Sequence, residues 1–576
     1  MGPAWLRQWA GARGEVEMRR HTLALLTLAL MVATVFALPT TLVAGEPVLI
    51  RPGYVGKTLA LTLKTPTGVA WDGRHLWVGD LDSAKLYELD AATGKVLTSI
   101  DAPGYQTQGL AWDGSQLWVI DALDKTAYAL DPVTGITRRA LPLDTDTAKG
   151  IAWDGSALWT VDAGAGVISR LDVGDGTTFK SFPAPNAHAR GDELGLAFDG
   201  AHLWVSDRLT DTIYRIDPAT GAVLDSFASP GPYPAGLAWD GSRLWCVDYE
   251  KRELAALVTT CDCGDPYAIS DPKPEAITYK EAWRNFGPGT VKTLDVYIAV
   301  PQDLPNQKLT KAPAFDPAPT DFVTDAWGQK CAHFLFKDIE AGREVSAVMT
   351  VEAELRKVRW FVDPEKVGAL TQVPAEIRDA YTRNSSKLVL DDPVIQKAVK
   401  EAVGGETNPY WMAWKINKYI QDHMVYQLLG GWNIAPTVLA RGSGSCSEYT
   451  FVMLAMCHAA GLPARYAGSI VIRGDDASRD DVFHRWVEVY LPKYGWFPID
   501  PSGGDSDVPS KVADFFGGLS NRFLITTLGA GDSKTLGWDY NSNAVWTAKG
   551  RVKLMQFKAG DWAPVGKKYE PVVTQR

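Results

Sequence analysis

The chain has 576 residues, of which 46% are hydrophobic and 22% charged, a composition that excludes a largely disordered protein. The formal net charge of −10 argues against a broad nucleic-acid-binding surface, and six cysteines are too few for a disulfide-framework protein. At roughly 150 residues per domain, the length predicts about four domains.

The first 45 residues are typical of a secretory signal peptide. A basic stretch at 19–21 precedes the apolar run 23–38, and Pro39 and small residues through Gly45 follow. We therefore predict that residues 1–45 are a signal peptide and that the protein is secreted or periplasmic. The alternative is an N-terminal membrane anchor, because residues 23–44 are about long enough to span a bilayer.

A motif of the form Gly-x-Ala-Trp-Asp-Gly, with Phe replacing Trp once, recurs five times at spacings of 41, 41, 45 and 41 residues. Four of the copies begin a unit of four predicted strands, which is typical of a β-propeller blade. The fifth copy has only three strands, and the segment 57–63 is available to complete it and close the ring. We predict a five-bladed β-propeller at residues 46–262, with a six-bladed ring as the alternative.

Two sets of side chains recur with the motif. The aromatic side chains are expected to pack between blades, with carbohydrate stacking as the alternative; they include Trp77, Trp118, Trp159, Trp204, Trp245 and Phe198. The aspartates that follow each Leu-Trp pair are expected to cap turns, with a cation at one mouth of the ring as the alternative; they are Asp80, Asp121, Asp162, Asp207 and Asp248.

Residues 263–375 carry short alternating segments separated by Pro, Asn and Gly, a pattern that predicts an Ig-like β-sandwich. Asp392-Pro393 and Asn408-Pro409 predict two helix starts in the segment that follows. No zinc site is predicted, because the Cys-x-Cys pair at 261–263 lacks a second ligand pair. An extracytoplasmic disulfide is expected instead, involving Cys246, Cys261, Cys263 or Cys331.

The stretch around Cys446 carries the first chemical signal. A Gly-Ser loop delivers Cys446 to the start of a predicted helix that ends at Gly461. Unpaired N–H groups and the positive end of the helix dipole stabilise a thiolate there, so we expect a lowered pKa and a nucleophilic sulfur. The backbone N–H of Cys446 is a candidate oxyanion donor. Cys457, farther along this helix, is interpreted as a core residue.

Two predicted strands downstream supply a base and a carboxylate. His484 lies near the start of an alternating strand, and Asp500 ends the next strand after a tight turn. If these strands are adjacent, Cys446, His484 and Asp500 form a triad in which His484 accepts the thiol proton and Asp500 orients the imidazole. The alternative interpretation is structural: a buried thiol, a structural histidine and the start of an Asp-Pro turn.

Several residues near these strands receive structural interpretations. Trp486 and Trp496 are expected to be core residues flanking the site. The four aspartates before His484 are interpreted as a solvated loop, with a preference for basic substrates as the alternative; they are Asp475, Asp476, Asp480 and Asp481.

Three ordered blocks resemble the transglutaminase-like cysteine enzyme superfamily. They are a Gly-x-Cys helix start followed by Gly-Leu-Pro-Ala-Arg at 444–465, His-x-Trp-x-Glu at 484–488, and Gly-Trp-x-x-x-Asp-Pro at 495–501. The resemblance implies an α+β papain-like or transglutaminase-like domain, assigned to residues 376–510, and a catalytic triad of Cys446, His484 and Asp500. This superfamily includes protein cross-linking enzymes, peptidases, amidases and members that have lost catalysis.

The sequence therefore predicts a multidomain, exported, cysteine-dependent enzyme that hydrolyses amide bonds of proteins or peptides through a thioester. We expect no cofactor and no obligatory metal. The propeller is expected to dock a partner or the substrate, in the form of an envelope or extracellular protein or glycan, and no nucleic acid. The alternatives are amine transfer to protein glutamine, and a non-catalytic extracellular binding protein. Residues 511–576 are a C-terminal extension without an assigned role. Two roles are open for it: it completes the catalytic sheet, or it covers the edge of that sheet.

Overall fold

A computed structural model describes residues 51–189, 191–260, 265–428, 432–474 and 477–566. The predicted signal peptide, Cys261, Cys263, Asp475 and Asp476 lie outside the described residues. Within the described ranges, no helix is both long enough and apolar enough to cross a membrane.

The sequence repeats fold into five separate four-stranded antiparallel sheets, called here the five-sheet region. The first four sheets each use consecutive strands: β2 (Pro66–Trp71), β3 (Leu76–Asp80), β4 (Lys85–Leu89) and β5 (Val96–Asp101); β6 (Thr107–Trp112), β7 (Leu117–Asp121), β8 (Thr126–Leu130) and β9 (Thr137–Pro142); β10 (Ala148–Trp153), β11 (Leu158–Asp162), β12 (Val167–Leu171) and β13 (Thr178–Pro183); β14 (Glu193–Phe198), β15 (Leu203–Asp207), β16 (Thr212–Ile216) and β17 (Val223–Ala228). The fifth sheet combines β18 (Pro234–Trp239), β19 (Leu244–Asp248) and β20 (Glu253–Leu257) with the first strand of the region, β1 (Val55–Ala60).

An N-terminal strand thus completes the last sheet, as predicted, although it begins at Val55 rather than at residue 57. The inner strands β2, β6, β10, β14 and β18 contact one another in that order, and β18 also contacts β2. The first glycine of each motif lies in these contacts. A Cβ on Gly68 would approach the carbonyl oxygen of Gln108 to 2.3 Å, and one on Gly236 would approach that of Thr67 to 2.7 Å. Neighbouring sheets therefore pack backbone against backbone where the repeat has glycine.

The repeated Trp and Asp side chains are structural. Each Leu-Trp indole is at most 3% exposed. Its Nε1 donates to the aspartate of the preceding Asp-Gly turn, over 2.8–3.0 Å; the pairs are Trp77 with Asp72, Trp118 with Asp113, Trp159 with Asp154, Trp204 with Asp199, and Trp245 with Asp240. The packing expected for these five tryptophans is present, and their burial leaves no indole face available to a carbohydrate. Phe198 is only partly buried and packs against the apolar cluster that contains Trp159.

Two further sheets enclose a common apolar core. The larger contains β21 (Tyr267–Asn285), β23 (Gln307–Asp316), β26 (Glu344–Trp360), β30 (Ser478–Asp480) and β36 (Leu554–Pro564), with β33 (Gly518–Leu519) paired to β26. The smaller contains β22 (Thr290–Ala299), β24 (Asp321–Thr324), β25 (Lys330–Ile339) and β35 (Ser542–Lys549). The sandwich layers predicted for 263–375 are present, and the C-terminal strands β35 and β36 complete them.

The remaining elements form a helical layer and a four-stranded sheet. The helices are α1 (Ala375–Tyr381), α2 (Pro393–Val403), α3 (Pro409–His423), α4 (Ala435–Arg441), α5 (Cys446–Ala459) and α6 (Pro509–Phe515). The sheet has the order β32 (Gly495–Ile499), β31 (His484–Leu491), β29 (Ala464–Val471) and β34 (Phe523–Gly529), and a short parallel pair joins β27 (Val425–Tyr426) to β28 (Ser443–Gly444).

The predicted helix starts are confirmed. The side chain of Asp392 accepts from the N–H of Val394 and caps α2, and Asn408 caps α3 in the same way. The C-terminal extension supplies β34, which covers the edge of the four-stranded sheet beside β29. Helix α6, in which the extension begins, contacts β17: Ala513 packs in the same apolar cluster as Val223, and the Ser510 N–H donates to the carbonyl of Pro185 at 2.8 Å.

Candidate active site

Helix α5 presents Cys446 as its first residue, and the helix start is held by a buried carboxylate. Glu448 accepts from the N–H of Ser445 at 3.2 Å, from the N–H of Asn433 at 3.1 Å and from the Arg441 guanidinium at 2.9 Å. Burial would raise the pKa of Glu448, but these donors outweigh it and the pKa is lowered. An ionised Glu448 thus fixes the backbone on which the Cys446 thiol is mounted.

Strands β31 and β32 pair antiparallel and bring His484 to Asp500, the residue that follows β32. Nε2 of His484 lies 2.6 Å from Oδ2 of Asp500. The other carboxylate oxygen accepts from the Gly503 N–H at 2.9 Å and from the Ser502 hydroxyl at 2.9 Å. The His484 side chain lies beside the Cys446 thiol and lowers the pKa of that thiol. Because Nε2 is taken by Asp500, Nδ1 is the ring nitrogen left for the sulfur.

The three groups shift one another's ionisation. Burial opposes the thiolate of Cys446, which is 5% exposed, but the hydrogen bond and positive charge of His484 lower its pKa. Burial also opposes the imidazolium, but Asp500 and Cys446 raise the pKa of His484 well above its ordinary range. The pKa of Asp500 is lowered against its burial, chiefly by the charge of His484. The resting state favoured here is a thiolate–imidazolium pair beside an ionised carboxylate.

Aromatic packing fixes the histidine ring. The ring of Phe523, on β34, stacks on His484 with centroids 5.4 Å apart and planes 22° apart. Trp486 is 1% exposed and lies beside Phe523, with centroids 5.2 Å apart. Trp486 is therefore a core residue, as expected. Trp496 is only partly buried and so is not the core residue that was expected; the Arg465 guanidinium lies 4.2 Å from its ring centroid.

A cavity of about 400 Å³ opens beside Cys446. Trp432, Phe483 and Tyr540 form aromatic walls, and the polar lining comes from Asp481, Asp539, Asn541, Gln556 and Lys558. Tyr540 to Lys558 belong to the C-terminal extension, so this part of the chain contributes to the pocket as well as to the sheets. No motif marked these residues in the sequence.

The hydroxyl of Tyr426 lies beside Cys446, whose backbone N–H is expected to be an oxyanion donor. Burial is the main cause that raises the pKa of Tyr426, followed by the charges of Cys446 and Asp500. The side chain of Tyr426 follows α3 on the short strand β27 and is 44% exposed.

The interpretation of Asp480 as part of a solvated loop is wrong. Asp480 is fully buried, accepts from the Phe483 N–H at 3.1 Å and pairs with Arg473 at 2.9 Å. It therefore holds the backbone just before His484. Asp481 remains exposed and lines the cavity.

The other sequence candidates have structural environments. The aspartates that follow Leu-Trp accept backbone N–H groups, as Asp121 does from Gln106 at 2.8 Å and Leu123 at 2.9 Å, so they cap turns. Cys246, Cys331 and Cys457 are buried free thiols, so the disulfide expected at Cys246 or Cys331 is absent. Burial raises the pKa of all three thiols, that of Cys331 to about 12.

Residues 396–501 match the family model of the transglutaminase-like superfamily, and the matched segment contains Cys446, His484 and Asp500. This chain contains a transglutaminase-like domain. That assignment supports a cysteine-dependent enzyme.

Comparison with solved structures gives distant likenesses. They include a candidate cysteine protease from Cytophaga hutchinsonii (13% identity, 53% of this chain and 95% of that chain, TM-score 0.37) and glutaminyl cyclase from Myxococcus xanthus (12% identity, 36% and 97%, TM-score 0.33). Virginiamycin B lyase from Staphylococcus aureus is also similar (18% identity, 34% and 66%, TM-score 0.25). These TM-scores are too low to support a conclusion about function. No curated protein matches the chain.

Proposed function

We propose that this protein is an exported cysteine-dependent amidase or peptidase, in which Cys446, His484 and Asp500 act as a catalytic triad. The observation that carries the proposal is the buried Cys446 thiol at a helix N-terminus, beside a histidine whose Nε2 lies 2.6 Å from Asp500. A thiolate held in this way attacks carbonyl carbon at neutral pH, whereas an ordinary thiol is mostly protonated there.

In the proposed reaction, the sulfur of Cys446 forms a bond to the amide carbon, and the carbonyl π electrons move to oxygen. The N–H of Cys446 donates to that oxyanion. The tetrahedral intermediate then expels the amine, which takes the proton from His484 and leaves a thioester. Water then attacks the thioester carbon while His484 accepts its proton. The C–S bond breaks, a carboxylic acid is released, and Cys446 is regenerated beside the protonated His484.

Hydrolysis rather than amine transfer is proposed because the cavity beside Cys446 is lined by polar groups that can hold water. Asn541, Gln556 and Asp481 supply both donors and acceptors within it. Amine transfer uses the same thioester, with an amine in place of water, so the two activities are separated by the product and not by the first step.

The experiment is turnover of a peptide mixture by the full-length protein, with and without dansylcadaverine as an added amine. Mass spectrometry distinguishes products that gain one water from products that gain the amine. We expect water addition, abolished in Cys446→Ala and retained in Cys457→Ala, which removes a buried thiol of the same helix. Cleavage by Cys446→Ala would contradict the mechanism. Cysteine-dependent amine incorporation in excess of hydrolysis would contradict the hydrolytic assignment only.

We further propose that the five sheets are the blades of a propeller that docks an extracellular or envelope partner. The ring order of the inner strands supports the propeller. On one side of the region, Tyr105 and Leu123 are 79% and 60% exposed in neighbouring loops joined by the Ala122 N–H to Gln106 carbonyl bond of 3.0 Å. Cosedimentation of the full chain with cell envelopes should be lost in Tyr105→Ser combined with Leu123→Ser. A wild-type protein that stays in the supernatant would contradict this role.

Export follows from the N-terminal sequence pattern and is proposed together with cleavage near residue 45. N-terminal sequencing of the protein recovered outside the cytoplasm tests it. A mature N-terminus close to residue 46 is expected, and an intact N-terminus in the membrane fraction would favour the anchor instead.

A further inference from the structure

Arg485 directly follows His484 on β31, and its side chain is fully buried. Four aromatic rings surround the guanidinium: its central carbon lies 4.3 Å from the ring centroid of Tyr540, 4.6 Å from Tyr466, 5.0 Å from Trp432 and 5.2 Å from Phe451. We call this arrangement the Arg485 cage. A cation over several ring faces is attracted by each of them, and the attraction grows when water is excluded.

The cage holds a cation without a carboxylate partner. Nη2 donates to the backbone carbonyl of Trp538, while Nε and Nη1 have no hydrogen-bond partner among the described residues. Among the residues that the structure describes, no Asp or Glu lies within ion-pair distance of Arg485. The buried Arg215, by contrast, is paired with Asp225. An arginine stays protonated in proteins, so a full positive charge is buried beside the active site.

The cage adjoins the nucleophile on two sides. Tyr540 and Trp432 belong both to the cage and to the walls of the cavity that contains Cys446. Phe451 lies on α5, which starts at Cys446, and the hydroxyl of the neighbouring Thr450 donates to the Arg485 carbonyl at 3.4 Å. The charge therefore lies between the helix that carries the sulfur and the wall that faces the substrate.

We propose that Arg485 is a positioning residue of the reaction: its fixed charge stabilises the thiolate of Cys446, and its cage holds Tyr540 and Trp432 against the substrate cavity. This inference rests on the proposed function, because it requires Cys446 to act as the nucleophile. Arg485 touches neither the sulfur nor the space for the substrate and acts through its field and through the rings.

The charged groups around Cys446 can be compared directly. Burial and the charge of Asp500 raise its pKa, while His484 lowers it most strongly and Arg485 adds to that effect. Tyr426 and Tyr540 also face the sulfur. The cavity adds the carboxylates of Asp481 and Asp539 and the ammonium of Lys558, which lies 3.8 Å from Asp539. Among these groups, only Arg485 carries a charge that does not depend on pH and that is buried with no ion-pair partner within the described residues.

The experiment measures the rate constant of Cys446 alkylation by iodoacetamide against pH, followed by mass spectrometry of the Cys446 peptide. Arg485→Met and Arg485→Gln remove the charge, and Arg485→Lys retains it. Arg465→Met is the matched control. Arg465 also lies over an aromatic ring of this domain, but it is on β29 and forms an ion pair with Glu488 at 2.7 Å. Near-UV circular dichroism identifies the variants that are folded.

We expect the uncharged variants to shift the inflection upward, with the rate constant about tenfold lower on its acid side, a shift of about one pH unit. Arg485→Lys should shift it less, kcat should fall more than KM rises in the uncharged variants, and Arg465→Met should match the wild type. Folded uncharged variants with a wild-type profile would overturn the proposal. Equal shifts in Arg485→Lys and Arg485→Met would also overturn the proposal. The same holds if all three Arg485 variants fail to fold, since either result indicates that Arg485 serves the packing of the domain alone. An ordinary inflection in the wild type would instead contradict the proposed function.

Discussion

The five-sheet region and the transglutaminase-like domain use cysteine in opposite ways. Cys246 is fully buried on β19, and burial raises the pKa of its thiol. Cys446 is nearly as buried, yet its pKa is lowered, chiefly by His484 and also by the charge of Arg485. Burial thus makes a thiol inert in one region, and neighbouring cationic groups reverse the effect in the other.

Aspartate shows the same contrast. Asp248 accepts from the backbone N–H groups of Tyr233 at 2.9 Å and Lys251 at 2.7 Å and only shapes a turn. Asp500 also accepts a backbone N–H, from Gly503, but its second oxygen lies 2.6 Å from a histidine nitrogen. A residue that recurs in every repeat stabilises the repeat, whereas one that occurs once, where two strands end beside a helix N-terminus, is free to serve chemistry.

The largest expected effect separates these two aspartates. Asp500→Asn should lower kcat/KM by about 10³-fold, because the imidazole loses the group that orients it and stabilises its charge. Asp248→Asn should leave kcat/KM within about twofold while lowering the free energy of unfolding by about 1 kcal/mol. Peptide hydrolysis and urea denaturation measure the two quantities. Comparable activity losses in both variants would erase the distinction between the regions.

An intermediate effect concerns acid stability of the five-sheet region. Burial would raise the pKa of Asp199, but hydrogen bonds from His202, Ala201 and Trp204 hold it at about 2. Because this pKa is lowered in the folded state, the carboxylate stabilises the fold above its ordinary value near 4, and the contribution is lost as pH falls toward 2.

Asp199→Asn should therefore cost about 2 kcal/mol at neutral pH and flatten the fall in stability of this region between about pH 4 and pH 2. Urea midpoints followed by tryptophan fluorescence measure it, with Asp82→Asn as the control because the Asp82 side chain is 52% exposed. An unchanged acid slope in Asp199→Asn would show that the carboxylate does not carry this dependence.

The smallest effect is expected at the contact between the regions. The Ser510 hydroxyl lies 2.6 Å from Oδ1 of Asn186, and Ser510→Ala should cost about 1 kcal/mol or less. Its kcat/KM should remain that of the wild type, because neither Ser510 nor Asn186 hydrogen-bonds to Cys446, His484 or Asp500. Ser506→Ala, in the loop just before α6, is the matched control. A large loss of activity in Ser510→Ala alone would mean that the five-sheet region supports catalysis directly.

Much of this arrangement was predictable because its signals are local. The repeated Gly-x-Ala-Trp-Asp-Gly motif marks each sheet, and the three blocks around Cys446, His484 and Asp500 mark the site. Each signal depends on residues close together in the chain. The mistaken interpretation of Asp480 shows the limit: four nearby aspartates look solvated, but the Phe483 N–H and Arg473 surround this one.

The parts that were not predicted depend on distant pairing. Strand β36 pairs with β21, so that Trp562 lies opposite Ile277, and no local pattern encodes a partner so far away. Tyr540 reaches the cavity in the same way. The sequence indicates Arg485 only in part: a basic residue occupies a position of an alternating strand that packs against α5. The four aromatic rings around its guanidinium come from separate segments of the chain, so the cage itself was not predictable.

The most direct test of the account is the pH dependence of Cys446 alkylation in the wild type and in His484→Ala. The account predicts a wild-type inflection well below the free-thiol value of about 8.5, shifted upward in the variant because the imidazolium that stabilises the thiolate is gone. A slow thiol with an ordinary inflection, unchanged by His484→Ala, would contradict an activated Cys446 and with it the proposed enzyme.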